Sequence, residues 1–262
     1  MKKFDITIIL TVLLICISYN MYAINRYTIK DLADATTLTS QASAEKVTSY
    51  TLNYKNFNAI DVDNVVSIIY KQSNQFNVRL ECTPSNREKI VITQKGNTLV
   101  IKSNSKNGNN NKRDAYQLYI EAPSLEDIKI EGVANISAPA PIKQNRLNLN
   151  IEGVCNINTP SITVKDCKLS IDGVCNTQMG ITATHQFEAD VEGVGKGSLK
   201  VNGGNCIFKC EGVCNFNVDV DCKELHFTNE GVGKSTLSGT ADKVDLNGDG
   251  VSKIDVRKLN AL

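Results

Sequence analysis

Residues 149–157 read LNIEGVCNI, and this stretch decides the fold because its centre, an acidic residue followed by Gly-Val, recurs through the second half of the chain. The phrase occurs seven times, with its acid at Glu131, Glu152, Asp172, Glu192, Glu211, Glu230 and Asp249. The glycine that follows each acid is Gly132, Gly153, Gly173, Gly193, Gly212, Gly231 and Gly250. Successive acids are 21, 20, 20, 19, 19 and 19 residues apart. A period this short and regular predicts one supersecondary unit that stacks on copies of itself.

Each unit carries the alternation of a half-buried strand. The residues five, three and one positions before the acid are apolar or small in nearly every unit, and polar residues separate them, as in the run from Leu147 to Ile151. The glycine interrupts this alternation after the acid. A second apolar set lies seven residues past the acid, at Met179, Leu199, Val218, Leu237 and Val256. The pattern predicts two short strands per unit, joined by a bend at the glycine.

Stacking is the arrangement that buries these strands, because neither strand of a unit can cover its apolar face alone. Units in register would pair each backbone edge with the next unit at the ordinary strand spacing of about 4.8 Å. Parallel connections within one sheet are overwhelmingly right-handed. The sequence therefore predicts an all-β chain and a right-handed single-stranded parallel β-helix, a β-solenoid, with about 19–21 residues per coil. Helical repeat arrays are excluded because no stretch keeps an unbroken 3.6-residue period.

The N-terminus has the order of a secretory signal. Lys2 and Lys3 precede an apolar run too short to span a bilayer, and a cleavage region ends at Ala23, so residues 1–23 are expected to be a signal peptide. A lipoprotein signal at Cys16 is disfavoured because an isoleucine, not a small residue, precedes it. The chain is therefore expected to be exported to the periplasm, the outer-membrane surface or the extracellular medium, with no stable membrane span after cleavage.

The rest of the chain divides into three predicted parts. Residues 24–45 are expected to be a tether, residues 46–130 an N-terminal β region made of opening coils or of a sheet that covers one end of the stack, and residues 131–262 the β-helix of seven units. An exposed loop is predicted from Asn104 to Arg113, where the chain is polar and rich in Asn and Gly. Removal of the signal takes two Lys and one Asp from 29 basic and 28 acidic side chains, which balances the charges. Binding to nucleic acid by phosphate neutralisation is therefore not expected.

Several parts of the chain resemble a known bacterial family. They are FNAIDVDNVVSIIYKQSNQFNVRLEC at residues 57–82, YQLYIEAPSLEDIKIEGVANI at residues 116–136, and the repeated phrases IEGVCNI, VEGVGKG and NEGVGKS. These runs are similar to the "putative auto-transporter adhesin, head GIN" domain, and the resemblance covers most of residues 50–255. It implies a secreted, right-handed β-helical domain, common in Bacteroidetes, with no catalytic residues to transfer. The usual phrase of that family has Ser-Gly where this chain has Glu-Gly or Asp-Gly.

Stacking in register would place the seven acids in one column, where carboxylates about 4.8 Å apart repel by roughly 1 kcal/mol per pair even in water. One hypothesis is a ladder of cation sites along this column, with calcium as the natural guest for oxygen ligands. The favoured hypothesis is structural: the carboxylates pair with turn amides or with lysines, and Lys196, Lys234 and Lys253 lie four residues past their acids. Asn occupies that position in the other units and predicts a ladder of stacked amides. No cofactor is expected.

The cysteines are expected to be mostly buried thiols. Those that lie three residues past an acid share a column of small residues, and Cys167 and Cys206 are separated by a whole coil, beyond the reach of a disulfide. The pair left open is Cys155 with Cys175, which lie in neighbouring coils. No Cys-x-x-Cys pair or histidine cluster predicts a zinc site.

The sequence favours a binding protein over an enzyme. His185 and His226 are predicted to be exposed, no Ser-His-Asp arrangement or nucleotide loop occurs, and the repeat offers no outward aromatic rings for sugars. We expect a non-enzymatic secreted or envelope-associated β-solenoid, an adhesin, binding or scaffolding module whose partner is a protein or glycan of the cell envelope. The alternatives are a polysaccharide lyase or hydrolase and an extracytoplasmic filament former, and self-association stays open.

Overall fold

The repeat region is one continuous extended segment, strand β9, which runs from Arg146 to Ala261. The computed structural model describes residues 45–104 and 116–261, and in them β9 follows eight shorter strands and one helical turn. The shorter strands are β1 (Thr48–Leu52), β2 (Ala59–Gln72), β3 (Asn77–Cys82), β4 (Ile90–Lys95), β5 (Thr98–Ser103), β6 (Tyr116–Ala122), β7 (Asp127–Ser137) and β8 (Ile142–Lys143). The helical turn, α1, spans Pro84–Arg87. The prediction of an all-β chain is confirmed. The expected signal peptide, and nearly all of the expected tether and exposed loop, lie outside the described residues.

Strand β9 must bend, because its 116 residues would make a straight strand of about 380 Å at roughly 3.3 Å per residue. It bends at the repeated glycines, whose φ angles are all positive and reach 136° at Gly173. Each of these glycines from Gly153 onward lies against the backbone of the glycine one unit earlier, and Gly132 lies against the backbone of Asn64. Side-chain hydrogen bonds likewise join residues 19, 20 or 21 positions apart, which is the repeat period. The segment therefore folds back on itself once per unit.

Strands β2, β7 and the start of β9 are parallel neighbours in register. Gly132 of β7 lies opposite Gly153 of β9 on one side and Asn64 of β2 on the other. The run Asp63-Asn64-Val65 is therefore an eighth copy of the phrase, in which Asn replaces the glycine. The stacking thus begins in the N-terminal region, before the first copy that the sequence pattern reveals.

The other edge of β2 is covered by a mixed group of strands. Its first half pairs in parallel with β5 and its second half with β6. Beyond them, β4 is antiparallel to β5, β3 is antiparallel to β6, and β1 is antiparallel to β3. The strands form one sheet that does not close on itself. The N-terminal region therefore adds antiparallel strands beyond the parallel neighbours of β2, and these strands shield that edge from pairing with other chains.

The core is a continuous column of apolar side chains between the turns. The inward positions of the repeat are buried from Leu147 to Leu237. The rings of Phe208 and Phe227 stack with their centroids 4.9 Å apart, and Phe216 packs edge-on against Phe208 at 5.0 Å. The aromatic rings of the repeat are therefore enclosed in the core, where they stabilise the contact between successive turns.

The last unit departs from the predicted burial. Leu246 and Val256, which the alternation places inward, are 37% and 36% exposed, and Val251 is 74% exposed. No further turn stacks on this unit within the described residues. Its apolar side chains therefore lack the next layer that buries their counterparts in the earlier units.

Candidate functional site

The acids of the repeat lie in one column along an edge of the stack. In the register of the parallel strands, Asp63 lies opposite Glu131, which lies opposite Glu152. The contacts between successive glycines carry the same alignment through the later units. Every acid of the column is half-buried or exposed. The sequence pattern missed Asp63, because an asparagine follows it instead of glycine.

Lysines two residues before the acid neutralise part of this column. Lys129 Nζ lies 2.5 Å from Glu131 Oε1, and Lys209 pairs with Glu211 in the same way. The hydrogen bond from Lys129, together with its charge, lowers the pKa of Glu131. Residues two apart on a strand share a face, so these lysines reach the carboxylate directly.

The lysines four residues past the acid do not supply the expected counter-charge. Lys234 Nζ lies 3.7 Å from Asp255 Oδ2 instead of pairing with the acid of its own unit. Within the described residues, Lys196 and Lys253 form no ion pair. This expectation was wrong because the bend at the glycine separates the fourth residue from the strand face that carries the acid.

A depression of about 220 Å³ lies in the middle of the column, where the position two before the acid is Asn150, Ser170 or Asp190 instead of lysine. Its carboxylates belong to Glu152, Asp172, Asp190 and Glu192. Asp190 Oδ1 is buried and has no hydrogen-bond partner among the described residues. Within the described part of the chain, no ion pair joins these four carboxylates to a basic side chain, although the charges of Lys168 and Lys209 act on Asp190 from a longer distance.

No group of three or more His, Cys, Asp or Glu side chains is arranged to hold a metal ion in residues 45–104 and 116–261. The four carboxylates of the depression therefore concentrate negative charge without forming a cage of ligands. The cation ladder stays a prediction that solution measurements can test.

Asparagine side chains form a second ladder on the other side of the bend. Asn156 Nδ2 donates to Asn135 Oδ1 at 3.1 Å, and Asn176 Nδ2 donates to Asn156 Oδ1 at 2.9 Å. Asn215 Oδ1 continues the pattern by accepting a hydrogen bond from the backbone N–H of Lys234 at 3.2 Å. These amides tie neighbouring turns together at the same level, as the sequence predicted.

Polar and charged pairs cross the outer walls from one turn to the next. Lys168 Nζ lies 2.8 Å from Glu188 Oε1, and Lys243 Nζ lies 2.9 Å from Glu224 Oε1. Both histidines are exposed and face carboxylates of neighbouring turns: His185 Nδ1 is 2.5 Å from Asp166 Oδ1, and His226 Nδ1 is 3.2 Å from Asp245 Oδ2. Exposed pairs of this kind contribute little stability each. Together they give the outer surface of the repeat side chains of both charges.

A family model described as "Putative auto-transporter adhesin, head GIN domain" matches residues 56–200 and 180–262. The chain belongs to this family. Its matched residues begin before β2 and include the whole stacked repeat.

Solved structures of other bacterial proteins are similar to this head GIN chain. A putative adhesin from Bacteroides fragilis NCTC 9343 is 19% identical over 82% of this chain and 99% of its own, with a TM-score of 0.49. A putative lipid binding protein from Parabacteroides distasonis ATCC 8503 is 15% identical over 81% of this chain and 97% of its own, with a TM-score of 0.44. A putative adhesin from Parabacteroides merdae ATCC 43184 is 14% identical over 79% of this chain and 96% of its own, with a TM-score of 0.44. No curated protein matches the chain.

The head GIN chain contains a disulfide between Cys210 and Cys214, whose Cα atoms are 6.4 Å apart. The sequence left open only a bond between Cys155 and Cys175, which are free thiols, and it did not predict the bond between Cys210 and Cys214. On a straight strand, residues four apart would be about 13 Å apart. The bend at Gly212 shortens this distance and turns both sulfur atoms toward the core.

The other cysteines of the described residues are buried thiols: Cys82, Cys155, Cys167, Cys175, Cys206 and Cys222. The hydrogen bond between the thiols of Cys155 and Cys175, together with burial, raises the pKa of Cys155. Burial raises the pKa of Cys222 to about 11. The same hydrogen bond lowers the pKa of Cys175. Thiols with raised pKa values are poor nucleophiles at neutral pH, so Cys155 and Cys222 act as small apolar side chains.

Among residues 45–104 and 116–261, no helix has the length and apolar character needed to cross a membrane.

Proposed function

We propose that this head GIN domain is an exported, non-enzymatic right-handed β-helix that binds or scaffolds a protein or glycan partner at the cell envelope. One observation carries the proposal: the glycines of the seven repeats contact one another in a single file. A chain that stacks on itself at every unit is a stiff rod with flat, polar walls, and such walls suit extended binding surfaces. Residues 1–23 would direct its export, and residues 24–45 would tether it.

The composition of the walls supports a binding role over catalysis. Phe187, Phe208, Phe216 and Phe227 are all buried, so the outer surface of the repeat lacks the rings on which polysaccharide-cleaving sites usually hold sugars. Acidic side chains do converge in the central depression, yet no basic or aromatic side chain lines it. A hydrolase or lyase needs groups that both bind the polymer and transfer protons.

Surface proteolysis of intact cells, followed by affinity capture from the fraction that holds the protein, tests the proposal. We expect the protein outside the cytoplasmic fraction, and we expect it to retain an envelope protein or glycan. Digestion in intact cells while a periplasmic marker is protected would place it on the outer surface, and protection together with that marker would place it in the periplasm. Recovery of the protein in the cytoplasmic fraction, or release of new reducing ends from a polysaccharide panel, would contradict the proposal.

The filament alternative predicts end-to-end association of the rods. Sedimentation at increasing protein concentration separates the two cases. A single monomeric species at high concentration supports an isolated binding module, and a concentration-dependent series of long polymers supports the filament.

A further inference from the structure

A crevice of about 280 Å³ opens in the N-terminal region, outside the stacked repeat. Four connecting segments meet there: the residues before β2, the β2–β3 connection, the turn between β4 and β5, and the β6–β7 connection. The side chains that the crevice presents are Asn56, Phe57, Asn58, Phe76, Asn97 and Ser124. None of its lining residues is ionisable.

Backbone hydrogen bonds fix the walls of this crevice. The N–H groups of Asn58 and Ala59 donate to the carbonyl oxygen of Asn97 at 3.0 and 3.2 Å. The carbonyl oxygen of Asn58 accepts from the N–H of Glu126 at 2.7 Å. Asn58 therefore joins the β4–β5 turn to the β6–β7 connection, and the crevice is formed before any ligand arrives.

One wall of the crevice is aromatic. The rings of Phe57 and Phe76 lie with centroids 5.2 Å apart at an interplanar angle of 54°. Phe57 is buried and supports Phe76, which is only half-buried and so leaves part of its ring accessible. This pair supplies the outward aromatic surface that the repeat lacks.

Amide side chains also line the crevice. Asn97 Nδ2 donates to Asn58 Oδ1 at 2.6 Å, which orients both side chains. A primary amide has two N–H donors and an acceptor oxygen, so this pair keeps both kinds of group for a ligand. Asn56, with φ of 58°, is the only non-glycine residue with positive φ in the described part of the chain.

We propose that this crevice binds one neutral pyranose unit of a glycan. A pyranose has an apolar C–H face that packs on an aromatic ring and hydroxyl groups that pair with amides in both directions. The neutral lining disfavours phosphate, carboxylate and ammonium ligands, because each would lose its hydration without gaining a counter-charge. The volume lies near the lower limit of small-molecule pockets, roughly 300–1,000 Å³, which fits one ring and not an oligosaccharide.

This inference rests on the proposed binding function and names the ligand class for it. A single sugar unit in an open crevice binds weakly. An adhesin compensates by presenting many copies to a repeating polymer, since linked weak contacts raise the overall affinity.

Saturation-transfer difference NMR on the full chain tests the crevice, with the methyl glycosides of glucose, galactose, mannose and N-acetylglucosamine as ligands and methyl glucuronide as the charged control. We expect transfer to the ring protons of at least one neutral glycoside and none to the glucuronide. The variants Asn97→Ala and Phe76→Leu should each reduce the transfer at least five-fold. Asn217→Ala, at an exposed position on the wall of the repeat, should leave it unchanged. Thermal unfolding of each variant verifies that it is folded, and Phe76→Leu keeps an apolar side chain in place.

The absence of transfer from every neutral glycoside would overturn the inference, as would transfer that persists in both crevice variants. These outcomes are separable from failure of the proposed function. Envelope partners captured equally by wild type and Asn97→Ala would leave the binding function standing and exclude the crevice. Glycoside binding in a protein that is recovered with the cytoplasmic fraction would support the crevice and contradict the proposed envelope function.

Discussion

Gly173 lies so close to Gly153 that a β-carbon on Gly173 would collide with the carbonyl oxygen of Gly153. Gly173 also has a φ of 136°, which side chains of L-residues rarely allow. Two independent constraints therefore act on the same residue: the chain must bend there, and the neighbouring turn leaves no space. The repeated phrase contains glycine because each turn rests directly on the backbone of the one before it.

The first prediction concerns this contact. Gly173→Ala should lower the free energy of unfolding by about 3 kcal/mol or more, because it adds backbone strain to steric overlap with a backbone atom that cannot move aside. The matched control is Gly248→Ala. Gly248 has no positive φ, and the nearest atom to its added β-carbon is the flexible Ser252 Oγ at 3.3 Å. Urea unfolding of both variants measures the difference, and equal losses would contradict the role of the glycine file.

The stacked arrangement of the repeat could be predicted from the sequence because its signals are local and repeated. The alternation before each acid, the glycine after it and the constant spacing all point to the same inward positions. The burial of Leu149, Phe187 and Phe227 follows from that alternation alone. The amide ladder of Asn135, Asn156 and Asn176 follows from the period.

Other features depend on geometry that the pattern does not encode. Asp63 joins the acidic column only because β2 pairs with β7 over residues that lack the glycine. Cys210 and Cys214 approach each other only because the chain bends between them. The N-terminal crevice collects side chains from connecting segments far apart in sequence, such as Phe57 and Asn97. Pairing between distant strands decides the first and the third, and a local bend decides the second.

The second prediction concerns the disulfide. Reduction of the denatured protein should reveal two more reactive thiols than are seen without reductant, because Cys210 and Cys214 are bonded. The double variant Cys210→Ala, Cys214→Ala should lose this gain. It should also unfold with a free energy lower by about 2 kcal/mol, the chain-entropy value for so short a loop. The double variant Cys155→Ala, Cys175→Ala, which removes two free thiols, should still show two additional reactive thiols on reduction. If reduction adds no thiols in this variant, the bond joins Cys155 and Cys175 instead.

The third prediction concerns the acidic depression. Asp172 lies in the depression with Glu152 and Glu192, and each repulsion across a strand spacing is worth roughly 1 kcal/mol in water. Asp172→Asn should therefore raise the midpoint of thermal unfolding at low ionic strength, and 1 M NaCl should remove most of the gain because it shortens the screening length to about 3 Å. Asp219→Asn is the control, since Asp219 accepts a hydrogen bond from Ser238 Oγ at 3.1 Å. It should show no gain at low salt.

Calcium and a chelator distinguish the two hypotheses for the same acids. If the acids of the column have only a structural role, the midpoint of thermal unfolding of the wild-type protein is the same in calcium and in chelator. A midpoint that calcium raises in wild type but not in Asp172→Asn would establish the cation ladder in its place, because a ligand that binds only the folded state stabilises it.

The fourth prediction concerns pH and the end of β9. The Asp255 side chain is 8% exposed, and Arg257 holds both of its oxygens, with Nη2 2.6 Å from Oδ2 and Nε 2.9 Å from Oδ1. These hydrogen bonds and the guanidinium charge hold the pKa of Asp255 well below its usual range. A folded-state pKa below the unfolded one means that the stabilisation is fully present above about pH 4 and is lost as the pH falls through lower values.

Asp255→Asn should therefore be less stable than wild type at pH 6, and the difference in the free energy of unfolding should shrink steadily from pH 4 to pH 2. Urea unfolding at four pH values measures it. Arg257→Ala removes the guanidinium instead of the carboxylate. Its difference from wild type in the free energy of unfolding should likewise shrink from pH 4 to pH 2. A difference that stays constant over this range would mean that the loss comes from packing at Asp255, because only the ionised carboxylate gains from the guanidinium.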